Sequence, residues 1–207
     1  MAKLPTQVVR SPLLERLQQQ SLQATPILGE ALLLLLDGST SMATASGGTT
    51  AWQELRRAVQ VLVSASDPAL CRIGLVTFAS TADLLVPFTE DLFRVSMALV
   101  DSPPGGATKM KDGLILAQDL SWPAAKVRRL VLLSDGMATS GDPVPTAQIL
   151  GKLGIVLDTV GCGGGVDEET LKSIAMVGGG RYTHCSEIQY LTTTFLALET
   201  RARGLLR

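Results

Sequence analysis

Asp37, Ser39 and Ser41 alternate along one short segment, Asp37-Gly38-Ser39-Thr40-Ser41. That alternation lets three side-chain oxygens converge on one point from a single loop. Two more segments of similar character lie far away in the chain, Gly105-Gly106-Ala107-Thr108 and Ser134-Asp135-Gly136. Each offers short oxygen-bearing side chains on turn-forming backbone, so Thr108 and Asp135 can reach the same point from neighbouring loops. The set holds hard oxygen donors and neither sulfur nor imidazole, which suits Mg²⁺, Mn²⁺ or Ca²⁺ and disfavours zinc or copper. Hydroxyls are neutral, so an ion held by them keeps most of its charge and its exchangeable water positions. A carboxylate from outside could then complete the shell. An Asp-x-Ser-x-Ser segment by itself is most often a capped turn, and the metal reading depends on adding Thr108 and Asp135.

The elements that must position these loops are legible in the hydrophobic pattern. Ala31 to Leu36 is a continuous apolar run closed by Asp37-Gly38. It suits a strand buried on both faces of a parallel sheet, although its leucines alone would also allow a helix. Trp52, Leu55, Val59, Leu62 and Val63 mark one face of a helix stopped by Asp67-Pro68. Residues 72–78 and 82–88 read as two strands with a very short link, hence an antiparallel hairpin, and Pro87 places the second at a sheet edge. Further helices are expected around Leu92–Leu99, Met110–Ala117, Ile149–Leu153, Leu171–Ala175 and Leu191–Leu198, with strands at 130–133 and 155–160. Strands interleaved with helices of this length predict an α/β, doubly wound fold, a mostly parallel central sheet with one antiparallel edge strand and helices on both faces. Ligands in such sheets sit at the carboxyl ends of the strands, where all three oxygen-rich segments fall.

The chain has 207 residues, 46% of them hydrophobic and 18% charged. That favours one globular domain of residues 29–200, preceded by an extension over 1–28 with an amphipathic helix and followed by a basic tail over 201–207. A formal net charge of −1 gives no footprint for nucleic acid. The N-terminal segment interrupts every apolar run with charge or glutamine, so neither a signal peptide nor a membrane span is expected. Three cysteines, Cys71, Cys162 and Cys185, without metal-ligand spacing point to reduced thiols and a cytoplasmic location, although Cys162 and Cys185 could be neighbours.

The Asp37-x-Ser39-x-Ser41 motif after an apolar strand, Thr108 after a glycine-rich turn and Asp135-Gly136 after a second apolar strand resemble the metal-ion-dependent adhesion site of von Willebrand factor A domains. Residues 159–185, TVGCGGGVDEETLKSIAMVGGGRYTHC, resemble the family's later strand, helix and Gly-Gly-aromatic strand. The resemblance implies that Ser39, Ser41 and Thr108 coordinate the ion in some combination, with Asp37 and Asp135 acting directly or through water. It also implies that a partner's Glu or Asp takes the open position, and that the helix around Leu191 to Leu198 corresponds to the one some members shift on binding. Departures are Thr40 where bacterial members often have Gly, Ala107 for the second Gly of the turn, and Lys109 for a small polar residue. A cation at Lys109 would either repel the ion or help bind an anionic partner.

The expected function is a noncatalytic interaction module, with a subunit of an AAA+ ATPase complex as one alternative. A Mg²⁺-dependent phosphatase using Asp37 as nucleophile is the rival, and it meets Ser39 where a second carboxylate would serve as general acid. Lys109, Asp142 and Trp52 could line the partner-binding rim, with a core role for Trp52 and a turn-forming role for Asp142 as the plainer readings. The Gly161–Gly165 run lacks dinucleotide-loop spacing and reads as a turn. His184 beside Cys185 lacks the further ligands of a metal site.

Overall fold

The computed structural model describes residues 28–46, 48–187 and 190–197. The expected N-terminal helix, Leu198 and the basic tail lie outside the described residues.

The apolar run becomes β1, Leu28–Asp37. Leu32, Leu34 and Leu36 enter one core while Leu33 and Leu35 enter a second core on the opposite face. Alternate side chains thus find apolar partners on both sides, and that tertiary burial overrides the helical leaning of leucine. The hairpin follows as β2, Cys71–Phe78, and β3, Ala82–Thr89, and the other strands of this six-stranded sheet are β4, Ala125–Ser134, β5, Ile155–Cys162, and β6, Gly179–Cys185. Their spatial order is β3-β2-β1-β4-β5-β6, with only β2 and β3 antiparallel. The order reverses at β1, so the crevice above β1 and β4 is where a doubly wound sheet binds its ligand. Pro87 lies on the exposed edge strand, where register shifts interrupt the β2–β3 pairing.

Helix α1, Ala51–Ala65, begins with a capping box in which the Gln53 amide donates to Thr50 Oγ1 and the Thr50 amide donates to Gln53 Oε1. It packs with α2, Leu92–Met97, and residues 191–197 over the Leu32 face. Helices α3, Met110–Asp119, α4, Val144–Lys152, and α5, Glu168–Val177, cover the Leu33 face. Gly113 lets α3 approach closely, since a Cβ there would lie 2.9 Å from Leu35 Cδ1 and 3.1 Å from Phe78 Cβ. Gly113→Val should therefore destabilise by about 1–3 kcal/mol through overpacking. A lowered urea midpoint with an unchanged slope would show this.

One helix face differs from expectation. Ile149 and Leu153 are exposed, and the buried residues of α4 are Thr146, Ala147 and Leu150. The cause is a close approach to the end of α5, where a Cβ on Gly151 would lie 2.7 Å from the Val177 carbonyl oxygen. Gly151 must face that neighbour, which rotates Ile149 outward.

The apolar pattern also conceals a buried charge cluster. Arg129, inside β4 and only 2% exposed, donates from Nε to Glu30 Oε1 at 2.7 Å. Its guanidinium also reaches Asp158 Oδ2 at 3.5 Å, and Asp158 Oδ1 accepts the Arg181 amide. Glu30, Arg129 and Asp158 thus tie the amino-terminal parts of three adjacent strands together on the Leu32 face.

Candidate metal centre

Each oxygen-rich segment sits where a buried strand or a glycine turn delivers it to the carboxyl rim of the sheet. After Asp37 the chain leaves β1, the Gly38 amide donates to the Phe78 carbonyl at 2.8 Å, and a short 3-10 turn, Thr40–Ala43, follows with Met42 buried as its anchor. Asp37 is fully buried. Its Oδ1 accepts the Ser39 amide at 2.8 Å, and its Oδ2 accepts the Ser134 hydroxyl at 2.6 Å. Ser39 Oγ and Ser41 Oγ are 2.9 Å apart, and Ser41 Oγ donates to Asp135 Oδ1 at 2.7 Å. Gly136 closes the group, because a Cβ at that position would stand 3.6 Å from Thr108 Oγ1 and 3.8 Å from Ser41 Oγ. The structure therefore brings together all of Asp37, Ser39, Ser41, Thr108 and Asp135.

The rim residues separate. Trp52 is buried in the Leu32-side core and abuts Gly38, so its bulk supports the Asp37–Ser41 loop from below. Asp142 is exposed, but its carboxylate accepts the Val144 amide at 2.9 Å and shapes the entry to α4, the turn-forming role. Lys109 caps α3 immediately after Thr108, with its amide bound to the Ala79 carbonyl.

Several residues that hold the site in place were not singled out from sequence. Thr40, read only as a departure from Gly, uses its hydroxyl to donate to the Gly106 carbonyl and accept the Gly106 amide, at 3.1 and 2.9 Å. This couples the first loop to the glycine turn across 66 positions of chain. Gly106 has φ +91, and a Cβ there would meet Ser80 Oγ at 2.4 Å, so glycine is required twice over. Thr139 holds Thr108 in the same reciprocal way, its hydroxyl accepting the Thr108 amide and its amide donating to the Thr108 carbonyl. Such hydroxyl-to-backbone pairing across loops leaves no periodicity for sequence reading to find.

Burial pushes the carboxyl groups of both Asp37 and Asp135 above the ordinary range. Hydrogen bonds from Ser134 and Ser39 work against this at Asp37, as the Ser41 hydroxyl does at Asp135, and repulsion from Asp135 adds to the rise at Asp37. Two inward-facing carboxylates with no basic side chain among their hydrogen-bond partners form a place for positive charge. Among the described residues no cluster of three or more His, Cys, Asp or Glu side chains is placed to hold an ion, so any ion at this rim would draw its remaining donors from hydroxyls. Hard neutral oxygens plus two carboxylates fit a divalent cation of the Mg²⁺ or Ca²⁺ type.

A pH dependence follows from these shifts. A carboxyl whose folded pKa is raised binds its proton more tightly when folded, so the metal-free domain loses stability as pH rises through the raised values. An added cation replaces those protons. The stabilisation by saturating Mg²⁺ or Mn²⁺ should accordingly be larger near about pH 7.5 than near about pH 4.5, because metal must displace protons at the lower pH. Thermal unfolding with and without metal at both pH values measures it, and an equal shift at both would contradict the assignment.

No curated protein matches the sequence. Among solved structures, an aerotolerance-related membrane protein from Bacteroides fragilis superposes with a TM-score of 0.73 at 20% identity, over 84% of this chain and 100% of that one. A von Willebrand factor type A protein from Catenulispora acidiphila gives 0.73 at 18% identity, over 86% of this chain and 43% of that one. Proximal thread matrix protein 1 from the mussel byssus gives 0.72 at 22% identity, over 85% of this chain and 46% of that one, and was solved with its MIDAS motif occupied by zinc. Zinc in that protein shows that the expected preference against zinc is not a rule for sites of this name. These likenesses establish the fold. The family model for the von Willebrand factor type A domain matches residues 32–137, just over half of the sequence and the stretch that carries all three oxygen-rich segments, so the chain belongs to that family.

Proposed function

We propose that the domain is a noncatalytic binding module that holds a divalent cation through Ser39, Ser41, Thr108, Asp37 and Asp135 and uses it to capture a Glu or Asp of a protein partner. The observation that carries this reading is the convergence of those side chains at one rim, with Ser39 Oγ, Ser41 Oγ and Asp135 Oδ1 linked in a chain of short contacts. Neutral hydroxyls leave the ion electron-poor, which strengthens its attraction for an incoming carboxylate. Mg²⁺ fits the donor set, with Mn²⁺ or Ca²⁺ as substitutes. Lys109 next to Thr108 adds positive charge at the rim and favours an anionic partner surface. An AAA+ ATPase presenting a surface carboxylate is one partner that satisfies this chemistry.

Phosphatase chemistry gains no support from the site. The residue two positions after Asp37 is Ser39, a hydroxyl already engaged with Ser41, and the nearby carboxyl of Asp135 accepts from Ser41. Such a phosphatase would carry its general acid two positions after the nucleophile, and here that position is a serine.

The test uses immobilised protein and a lysate of the native cells, with Mg²⁺ or EDTA in the wash. Retention of partners in Mg²⁺ and their release by EDTA are expected, and the Ser39→Ala/Ser41→Ala double variant should retain none while keeping its circular dichroism spectrum. Equal retention in EDTA would refute the cation-bridged mode.

A further inference from the structure

Cys162 ends β5 and Cys185 ends β6, and the two are register partners in the parallel pairing. Both side chains enter the core on the Leu32 face, at 1% and 2% exposure. Neighbouring strands lie about 4.7–4.9 Å apart, inside the roughly 4.4–6.8 Å Cα separation that a disulfide spans. The two thiols are close enough to shift each other's acidity. We propose that Cys162 and Cys185 form a redox-active dithiol, closed to an intramolecular disulfide by hydrogen peroxide.

The neighbouring Cys162 thiol lowers Cys185 to about 7, and the same proximity, with burial, pushes Cys162 upward. The two sulfurs therefore have different roles. The Cys185 thiolate attacks one peroxide oxygen, the O–O bond breaks, and the departing hydroxide takes a proton to leave as water. Cys185 is then a sulfenic acid. The Cys162 sulfur attacks that sulfur, its proton goes to the departing hydroxyl, and a second water is released as the S–S bond forms. Both thiols together lose two electrons and two protons, and one peroxide is reduced to two waters.

An opening lies between β6 and the 190–197 segment. A pocket of about 360 Å³ is lined by Thr183, Tyr190, Thr193, Thr194 and Ala197. Thr183 lies two residues before Cys185 on β6, so the pocket opens beside the Cys185 end of that strand. Peroxide is little larger than water and fits such an opening. The Cys185 thiol also donates to the Glu187 carbonyl at 3.1 Å, a bond that the disulfide cannot make. Oxidation would thus release one tie at the start of the connection between β6 and the 191–197 helix. Cys71, also buried, lies on β2, with β1 and β4 between it and the pair.

The test treats the folded, reduced full chain with hydrogen peroxide, quenches, denatures and alkylates the remaining thiols. Alkylable thiols should fall from three to one, leaving Cys71, with Cys162 and Cys185 recovered in one cross-linked peptide. The Cys162→Ser variant should stop at a Cys185 sulfenic acid trapped by dimedone, and its unfolding temperature should confirm that it folds. The same treatment in urea should give mixed pairings that include Cys71, because the native juxtaposition is lost. Three alkylable thiols after native treatment, or cross-links that involve Cys71 or join two chains, would overturn the proposal.

Discussion

Asp37→Asn should weaken divalent-cation binding roughly 100-fold or more, on the scale of losing a positioned group at a metal site, while leaving the metal-free domain at least as stable as the parent. The two effects come from one cause. Asp37 is fully buried and burial raises its carboxyl, so without metal its charge is a burden that asparagine removes while keeping the shape. With metal present that charge becomes the main attraction. Thermal unfolding of parent and variant, each with and without Mg²⁺, separates the outcomes: the metal-free midpoint should hold or rise, and the metal-induced shift should vanish. A variant that keeps the shift would remove Asp37 from the ion's environment.

Arg129→Ala should cost about 3–5 kcal/mol, the penalty for stranding buried charge. Glu30 and Asp158 are both buried around the guanidinium, at 7% and 1% exposure. Removing Arg129 takes the guanidinium away from two buried carboxylates, Glu30 and Asp158, and opens a cavity as well. Much of a typical domain's total stability lies in that range, so the variant should unfold at far lower urea or accumulate poorly. Arg129→Met combined with Glu30→Gln and Asp158→Asn should recover most of the loss. The comparison distinguishes stranded charge from lost packing, since the triple variant keeps the volume and removes the charge.

The fold was readable wherever burial is periodic. Leu55, Val59 and Leu62 announce the inner face of α1, and the apolar run of β1 ending at Asp37-Gly38 announces both a doubly buried strand and its exit. The convergence of the five side chains of the candidate site was readable because their types are unusual together, small and oxygen-bearing after strand ends. What escaped notice depends on contacts between distant segments. Thr40 resembles any loop threonine until Gly106 is beside it, and Arg129 resembles a strand-edge charge until Glu30 and Asp158 enclose it. The outward turn of Ile149 arises from Gly151 meeting the end of α5, again a relation between segments.

The reciprocal bonds from Thr40 to Gly106 and from Thr139 to Thr108 cross-brace the three loops through protein atoms alone. An ion bound there, as proposed, would find its berth already assembled and have little loop entropy to quench. Capture is then governed by how fast the ion sheds water, so a quickly exchanging cation should load sooner than a sluggish one of equal affinity. On the proposed reading, the rim would be armed or disarmed on the timescale of hydration chemistry, with no refolding in between.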